Sequence, residues 1–374
     1  MTRGDRFYVI YHIRGDEATA LAKAKAICLE QTVELGDELV PDGIIREWIV
    51  GQIERFSLVQ DGLFAAKIGY AVETSAFELP QLLNVIFGNT SIKAGIRVEQ
   101  LELPDSLLRT FPGPRFGVRG LRNILGVDEK PLLCTALKPM GKSAVEIAEL
   151  AYAFALGGID VIKDDHGLTD QPFCPYRDRV QACVEAIARA NRETGKRCFY
   201  VPNVTAPALE IAERVSFAQQ TGAGGILIAP GLTGFDTMRV LAENESVNLP
   251  IFSHPAFLGS LVTSPENGLS HSVLFGQLQR LAGADVSIYP NYGGRFGFTR
   301  DECQQISASC LSRMGHYPAI FPSPGGGMTM EKVPDMLALY GHDVMFLMGG
   351  GLYGRSPDLA DNVRYFLSLV GREE

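Results

Sequence analysis

In the stretch GGIDVIKDDHGLTDQPF, an apolar run is followed by four consecutive residues that could do chemistry: Lys163, Asp164, Asp165 and His166. Charged side chains at the end of a buried strand are costly unless something pairs them. Asp165 and His166 could ligate a metal ion, with Lys163 as a base or counter-ion. A buried Lys–Asp ion pair that orders the strand end is the alternative. Spacing alone leaves both open, because adjacent strand residues point to opposite faces.

Two glycine triplets are the second chemical signal. They are Gly325, Gly326 and Gly327, and Gly349, Gly350 and Gly351. Because glycine has no Cβ, backbone N–H groups there can approach an anion closely. One triplet alone would predict only a tight turn. Two triplets at the ends of neighbouring strands favour a phosphate-binding site, a judgement that rests on fold analogy.

Composition excludes several classes of protein. The 374 residues carry a net charge of −9 and contain no run rich in lysine or arginine, so we expect no nucleic-acid partner and no anionic membrane surface. The seven cysteines are scattered without a CxxC pair, which favours free thiols in a reducing compartment. The N-terminal stretch lacks the long apolar region of a signal peptide, and no apolar run is long enough for a membrane span. We therefore expect a cytoplasmic protein.

The elements that must position these residues follow a repeated pattern. From about residue 130, an apolar run that ends in polar or glycine residues recurs eight times, usually followed by a helical segment. Buried apolar strands alternating with amphipathic helices predict parallel strands covered on both faces. Eight near-equal units favour an α/β fold closed as a (β/α)8 TIM barrel over a doubly wound open sheet. The runs are PLLCTALKP, GIDVIKDD, RCFYVPNVT, GGILIAPGL, LPIFSHPA, ADVSIYPNYGG, YPAIFPSPGGG and DVMFLMGGG.

The first third of the chain has a different pattern. Three strand-like segments and two helix-like segments predict an N-terminal α+β domain of the ferredoxin-like kind over residues 1–120, and the barrel then spans residues 121–374. The proline- and glycine-rich stretch FPGPRFGVRG is the expected connection.

In such barrels the active site lies at the carboxyl ends of the strands. The chemically useful residues that the pattern places there come from seven strands. They are Lys138 on the first; Lys163, Asp165 and His166 on the second; Asn203 on the third; His254 on the fifth; Asn291 and Arg295 on the sixth and its loop; and the glycine triplets on the seventh and eighth.

The order of motifs resembles the RuBisCO large chain along nearly the whole sequence. The motifs are LKPMG, GGIDVIKDDH, FYVPNVTA, GLTGF, HPAF, FPSPGGG and MGGGLYG. Several departures from the carboxylase pattern identify the chain as a RuBisCO-like protein, a type IV member of that family.

The resemblance implies a metal site. In the family, the lysine at the position of Lys163 is carbamylated, and together with the residues matching Asp165 and His166 it holds Mg²⁺. His166 stands where the family has a glutamate, so Mn²⁺ or another divalent cation that accepts nitrogen is also expected. Lys138 matches the first lysine of the family's KPK signature, which handles the proton of enolisation, while the second lysine is absent.

The resemblance also implies a substrate with one phosphate. His254 matches an active-site histidine, but its neighbour is Pro255 instead of arginine, and Ile288 replaces a phosphate-binding histidine. The glycine triplets, and with them the other phosphate site, remain. Arg295 replaces the lysine of the mobile loop. Glu34 matches the glutamate that pairs with this cation across a homodimer, and a solvated helix end is its alternative reading.

The expected chemistry is metal-dependent enolate chemistry on a monophosphorylated keto-sugar or 3-oxo sugar acid. KDDHG and YPNYGGRFGF resemble the family members that act on branched sugar-acid phosphates, and this resemblance favours decarboxylation, a carbon–carbon lyase reaction, and not ribulose bisphosphate carboxylation. The alternative is an isomerase or tautomerase of the enolase type, acting on a ketose phosphate such as a methylthio-sugar phosphate. A metal-free binding or regulatory protein that keeps the fold is the alternative of another class.

Overall fold

The first part of the chain forms an antiparallel sheet with two helices packed on it. The computed structural model describes residues 4–372. Along the chain the elements are β1 (Arg6–Arg14), α1 (Glu17–Glu30), β2 (Gln52–Gln60), β3 (Leu63–Ala71), α2 (Leu79–Phe87) and β4 (Ile96–Glu102). The strands are ordered β4-β1-β3-β2 in the sheet, which is the ferredoxin-like βαββαβ arrangement. This confirms the predicted fold class of the N-terminal region.

The rest of the chain alternates strands and helices. In chain order the elements are α3 (Asp105–Leu108), α4 (Gly117–Leu125), β5 (Leu132–Leu137), α5 (Ala144–Leu156), β6 (Val161–Asp164), α6 (Tyr176–Thr194), β7 (Phe199–Val201), α7 (Ile211–Thr221), β8 (Ile226–Ile228), α8 (Pro230–Thr233), α9 (Phe235–Glu243), β9 (Ile251–Ser253), β10 (Gly268–Leu269), α10 (Leu278–Leu281), β11 (Val286–Pro290), α11 (Arg300–Leu311), β12 (Phe321–Gly325), α12 (Val333–Tyr340), β13 (Met345–Leu347), α13 (Gly350–Tyr353) and α14 (Leu359–Leu369). A π-helical turn, Val273–Gln277, leads directly into α10.

The eight predicted barrel strands are all present and parallel. They form two four-stranded sheets, ordered β13-β5-β6-β7 and β8-β9-β11-β12. A parallel bridge between Asn203 and Leu227 joins β7 to β8. On the other side β12 abuts β13, where a Cβ on Gly325 would lie 3.1 Å from the Leu347 side chain. The closed barrel is therefore confirmed, and the open doubly wound sheet is not formed.

The N-terminal sheet and the barrel are joined by direct contacts. The short strand β10 leaves the barrel and pairs in parallel with β4, Gly268 beside Arg97. The Gln277 side chain also bonds both the N–H and the carbonyl of Leu101, at 3.0 and 2.7 Å. The predicted domain boundary at residue 120 falls inside α4, whose Leu121 and Leu125 pack with the barrel-strand core. We propose that the division precedes this helix.

The end of β6 is fixed by a buried carboxylate. Asp164 has no exposed side-chain surface, and neither has Arg179 of α6, whose Nε lies 3.2 Å from both Asp164 oxygens. The Tyr200 hydroxyl and the Asn203 N–H donate to the same carboxylate at 2.5 and 2.9 Å. Asp164 thus points outward to α6 and β7, so its neighbours Lys163 and Asp165 point inward, as strand alternation requires.

We expect Arg179→Met to destabilise the protein by about 3–5 kcal/mol, because it leaves the Asp164 charge buried without its cation. Chemical denaturation of the variant and the natural protein measures the difference. Arg177→Met on the same helix is the matched control. Arg177 is largely exposed and pairs with Glu213 at 2.6 Å, so its loss should cost less than about 1 kcal/mol. Equal effects of the two substitutions would contradict the role given to Asp164.

Among residues 4–372, no helix combines the length and the apolar character needed to cross a lipid bilayer.

Candidate active site

A cavity of about 570 Å³ opens at the carboxyl ends of the barrel strands. Eleven of the side chains and glycines predicted from the sequence line it: Lys138, Lys163, Asp165, His166, His254, Arg295, Gly325, Gly326, Gly327, Gly349 and Gly350. The structure therefore brings most of the predicted site together in one place, from six different strand ends.

Lys138 and Asp165 form an ion pair inside the cavity. Lys138 Nζ donates to Asp165 Oδ1 at 3.0 Å, and the stem of Lys138 passes Gly349, where a Cβ would lie 3.1 Å from Lys138 Cε. Burial would raise the pKa of Asp165, but the His166 hydrogen bond and the charges of Lys163 and Lys138 outweigh it and hold the pKa below its usual range. Asp165 is therefore an anion at neutral pH, and Lys138 is the cation beside it.

Lys163 is the most enclosed cation of the site. Its side chain is buried, and Nζ donates to the Asp164 carbonyl at 3.0 Å. Burial lowers its pKa from the usual value, so a larger fraction of the amine is neutral at a given pH. A neutral amine is the form that attacks carbon dioxide, forming a C–N bond and losing one proton to give a carbamate.

Two histidine rings stack at the mouth of the site. The rings of His166 and His254 are 4.5 Å apart and 14° from parallel. Burial, helped by the charge of Lys163, lowers the pKa of His254 well below its usual value, so this ring is neutral. His254 Nδ1 accepts a hydrogen bond from the Ala256 N–H at 3.1 Å. The ring proton is then on Nε2, which can donate to a ligand.

The side chains offer a divalent cation an incomplete set of ligands. Within residues 4–372, no group of three or more histidine, cysteine, aspartate or glutamate side chains is arranged to hold a metal ion. Asp165 and His166 lie together, with 3.5 Å between His166 Nδ1 and Asp165 Oδ1. A carbamate on the neighbouring Lys163 would add the missing anionic oxygens. The residues thus fit a divalent cation provided that Lys163 is carbamylated.

The glycine residues give the cavity a wall of free backbone donors. The N–H groups of Gly326, Gly327 and Gly349 have no acceptor among residues 4–372. Gly326 and Gly327 adopt φ of +81° and +87°, a conformation that other residues rarely take. Unsatisfied N–H groups that converge on a cavity are an anion-binding arrangement. They support the predicted phosphate site on this side.

The loop after β11 lies against the first triplet. The Arg295 N–H donates to the Gly326 carbonyl at 3.1 Å, and the Phe296 ring lies where a Cβ on Gly326 would be 2.9 Å away. The Arg295 side chain is exposed and has no carboxylate partner among residues 4–372. Its guanidinium can therefore add a positive charge beside the glycine N–H groups.

Four predicted residues do not line the cavity, and one of them, Asn291, is buried with its amide donating to the Met328 sulfur at 3.1 Å. Asn203 is buried, and its amide donates to the carbonyls of His166 and Leu168, both at 3.0 Å. It therefore orders the loop after β6, and we propose a positioning role for it instead of substrate binding. At Gly351 a Cβ would lie 2.3 Å from the Met328 carbonyl, so glycine is needed there for packing. Glu34 follows α1, is exposed, and has a φ of +52°.

The cavity wall near β9 and β11 was not predicted from the residues at the strand ends. Pro255 and Ile288 line it, as the loss of the second phosphate site implied, but most of it comes from loops and helices. The additional residues are Phe257, Thr263, His271, Phe275, Phe298 and Glu302. This wall is mainly aromatic, and its polar groups are a threonine, a histidine and a glutamate. HPAF and YPNYGGRFGF contain Phe257 and Phe298, but no motif marked the other four residues, because they follow the strands at irregular distances.

Comparison with known proteins gives the family. Residues 117–361 match the catalytic domain of the ribulose bisphosphate carboxylase large chain. The chain belongs to this family, and within it to the RuBisCO-like proteins, as its motifs indicated. A RuBisCO-like protein from Rhodopseudomonas palustris has the same fold, with a TM-score of 0.89 and 34% identity over 98% of both chains.

Two relatives with named activities cover much of the chain. The chain is 36% identical to a 5-methylthioribulose-1-phosphate isomerase from Rhodospirillum rubrum, over 98% of this chain and 96% of the relative. It is 32% identical to a 2,3-diketo-5-methylthiopentyl-1-phosphate enolase from Bacillus pumilus, over 85% of this chain and 79% of the relative.

We expect a divalent cation to raise the melting temperature of the protein only when bicarbonate is also present. The reason is that a ligand of the folded state stabilises it, by about 2.7 kcal/mol at a hundred times Kd. Mn²⁺ should act at least as well as Mg²⁺ because of the His166 imidazole. Thermal unfolding monitored with each cation, with and without bicarbonate, measures the effect.

Lys163→Gln and Asp165→Asn should both abolish this stabilisation. Lys142→Gln is the matched control, because Lys142 lies outside the cavity and pairs with Glu146 at 3.2 Å. Stabilisation by the cation that needs no bicarbonate and survives Lys163→Gln would refute the carbamate.

Proposed function

We propose that the protein is an isomerase or enolase-type enzyme that moves a proton between carbon atoms of a ketose carrying one phosphate, such as a methylthio-sugar phosphate. The names of the two relatives support this alternative better than decarboxylation, which the sequence motifs had favoured. An isomerase relative that aligns over nearly its whole length makes isomerisation the first candidate.

The observation that carries the proposal is the division of one cavity into three regions. Lys138, Lys163 and Asp165 form a charged region that suits proton transfer next to a carbonyl. Gly326, Gly327 and Gly349 form a region of free N–H donors that suits one phosphate. The wall beyond them is mainly aromatic and suits an apolar tail such as a thioether, since sulfur packs favourably against aromatic rings.

The charge of the aromatic wall argues against a bisphosphate. Ile288 and Pro255 offer neither a positive charge nor a side-chain donor, and Glu302 adds a carboxylate. A second phosphate placed there would lose its hydration without gaining a positively charged partner, at a cost of several kcal/mol. The proposal therefore excludes ribulose bisphosphate as the substrate.

The chain's own residues can carry out the proton transfer. Lys138 is held by Asp165 at the centre of the cavity and transfers the proton to or from the carbon beside the ketone. The Nε2–H of neutral His254 is placed to donate to an oxygen of the developing enediolate. The free N–H groups of Gly326, Gly327 and Gly349 hold the phosphate and fix which carbon faces Lys138. A divalent cation held by carbamylated Lys163, Asp165 and His166 would supply Lewis acidity towards the ketone and the adjacent hydroxyl.

We expect Lys138→Met to lower kcat on 5-methylthioribulose-1-phosphate by ~10²–10⁴-fold, the usual contribution of a general acid or base. Proton NMR in D₂O measures both the isomerised product and the deuterium that enters at the carbon beside the ketone. Lys142→Met, which lies outside the cavity, is the control and should keep full activity. Release of carbon dioxide from a 3-oxo sugar-acid phosphate, without any isomerisation, would support the decarboxylase instead. Binding of 5-methylthioribulose-1-phosphate without turnover would support the metal-free binding protein.

We further propose that the site is completed across a homodimer or a multiple of dimers. Glu34 and Arg295 both lack an oppositely charged partner among residues 4–372. The segment after Glu34 exposes large apolar side chains, with Leu39 63% and Ile44 53% accessible. A neighbouring subunit that covers this segment would bring Glu34 to the partner's loop.

Mixing Glu34→Ala protein with Lys138→Ala protein should restore part of the lost activity, because a hybrid dimer holds one site with neither substitution. Activity of the mixture, measured after subunit exchange has been confirmed by mass spectrometry, tests this expectation. A mixture no more active than its two components would mean that each chain forms a complete site.

A further inference from the structure

We propose that His271 determines substrate specificity by hydrogen-bonding, through Nε2, a hydroxyl on the carbon next to the apolar tail of the substrate. This inference rests on the proposed function. It separates the two candidate substrates, because a methylthioribulose phosphate carries a hydroxyl at that carbon and a 2,3-diketo-5-methylthiopentyl phosphate does not. It assigns the chain to the hydroxylated ketose.

His271 lies where the N-terminal sheet meets the cavity. It follows β10, the strand that pairs with β4, and it precedes the π-helical turn that carries Phe275 into the aromatic wall. The side chain is only 5% exposed, yet the ring lines the cavity. A buried polar ring at the edge of a ligand cavity needs a hydrogen-bond partner.

The ring is held on three sides. Arg97 of β4 places a guanidinium nitrogen 3.4 Å from His271 Nδ1, and Glu302 of α11 places a carboxylate oxygen 3.5 Å from the same atom. The Phe298 ring packs edge-on against the imidazole, with 4.4 Å between centroids. Nε2, by contrast, has no partner among residues 4–372. The ring is therefore fixed in orientation, with one nitrogen left for a ligand.

The electrostatics select a hydroxyl over an anion. Burial lowers the pKa of His271 to about 4, with Glu302 opposing and Arg97 adding to the shift, so the ring is neutral near pH 7. When Nδ1 accepts from Arg97, Nε2–H donates; when Nδ1–H donates to Glu302, Nε2 accepts. A hydroxyl matches both forms because it is donor and acceptor at once. A phosphate or carboxylate can only accept, and it would face the Glu302 carboxylate.

The surroundings place this hydroxyl beside the tail. Phe275 and Phe298 lie next to His271, with 5.8 Å between their ring centroids, and Ile288 belongs to the same wall. A thioether tail fits against these aromatic rings. The substrate carbon next to the tail then lies beside the His271 imidazole. A site built to bond a hydroxyl rejects an analogue without it, because the buried polar group is left unpaired.

The test compares two ligands that differ in this hydroxyl. Calorimetry gives the Kd of 5-methylthioribulose-1-phosphate and of its 4-deoxy counterpart for the dimeric Lys138→Met protein, in which turnover is blocked. With His271 present, the deoxy compound should bind at least ~10-fold more weakly. Adding His271→Phe, which keeps a ring of similar size, should bring the ratio close to one by weakening only the hydroxylated ligand. A ratio unchanged by His271→Phe would overturn the inference.

Further variants separate the polar contact from packing. His271→Gln offers an amide near the position of Nε2 and should restore part of the ratio, which a merely structural role would not do. His316→Phe replaces an exposed histidine outside the cavity and should leave the ratio unchanged. Melting temperatures identify any variant that has not folded. If His271→Phe has not folded, the ratio of the two Kd values measured with His271→Gln tests the inference.

The result also distinguishes this inference from the proposed function. If the natural protein isomerises the ketose phosphate but His271→Phe leaves the ratio intact, only the role of His271 is wrong. If the natural protein turns over neither ligand while the ratio depends on His271, the proposed reaction is wrong and the hydroxyl contact stands. If neither ligand binds, both are refuted.

Discussion

The buried Asp164 carboxylate is the constraint on which the site depends. Arg179, Tyr200 and the Asn203 N–H surround it on the outer side of β6. Because successive strand residues face opposite ways, fixing Asp164 outward fixes Lys163 and Asp165 inward. A charge buried without its partners would cost several kcal/mol, so the strand end cannot rotate without breaking this cluster. The cluster is therefore what orients the inward-facing lysine and carboxylate of the proposed reaction.

An acidic protein must attract a phosphate by local means. The net charge is −9, yet the cavity concentrates lysines at β5 and β6 and free N–H groups after β12 and β13. These donors are attached to the backbone, so they are already oriented before the ligand arrives and lose little freedom on binding. The absence of Cβ atoms at Gly326 and Gly349 leaves room for the Phe296 ring and for the Lys138 stem.

The sequence predicted the fold and the strand-end part of the site, for a physical reason. Parallel strands buried on both faces leave continuous apolar runs, and the residue after each run must lie at the same barrel mouth. That rule placed Lys138, Lys163 and His254 correctly in one cavity. The rule also placed Asn203 in the cavity, but the Asn203 amide donates instead to the carbonyls of His166 and Leu168. The rule could not identify His271. The contacts that hold His271 come from Arg97 and Glu302, far away in the sequence, and no local pattern records them.

The two ends of the cavity differ in how they constrain a substrate. In the proposed function, the end formed by Lys138, Lys163, Asp165 and the glycine residues recognises features common to any ketose phosphate: a carbonyl, an acidic C–H bond and a phosphate. In the same proposal, the end formed by Phe275, Phe298 and His271 recognises the remainder of the molecule. A substitution at the end formed by Phe275, Phe298 and His271 alters which substrate is held without moving Lys163 or Asp165, because the Asp164 cluster fixes these two residues independently. The barrel can therefore keep one proton-transfer chemistry while its far wall decides the substrate, which is how one fold serves several reactions.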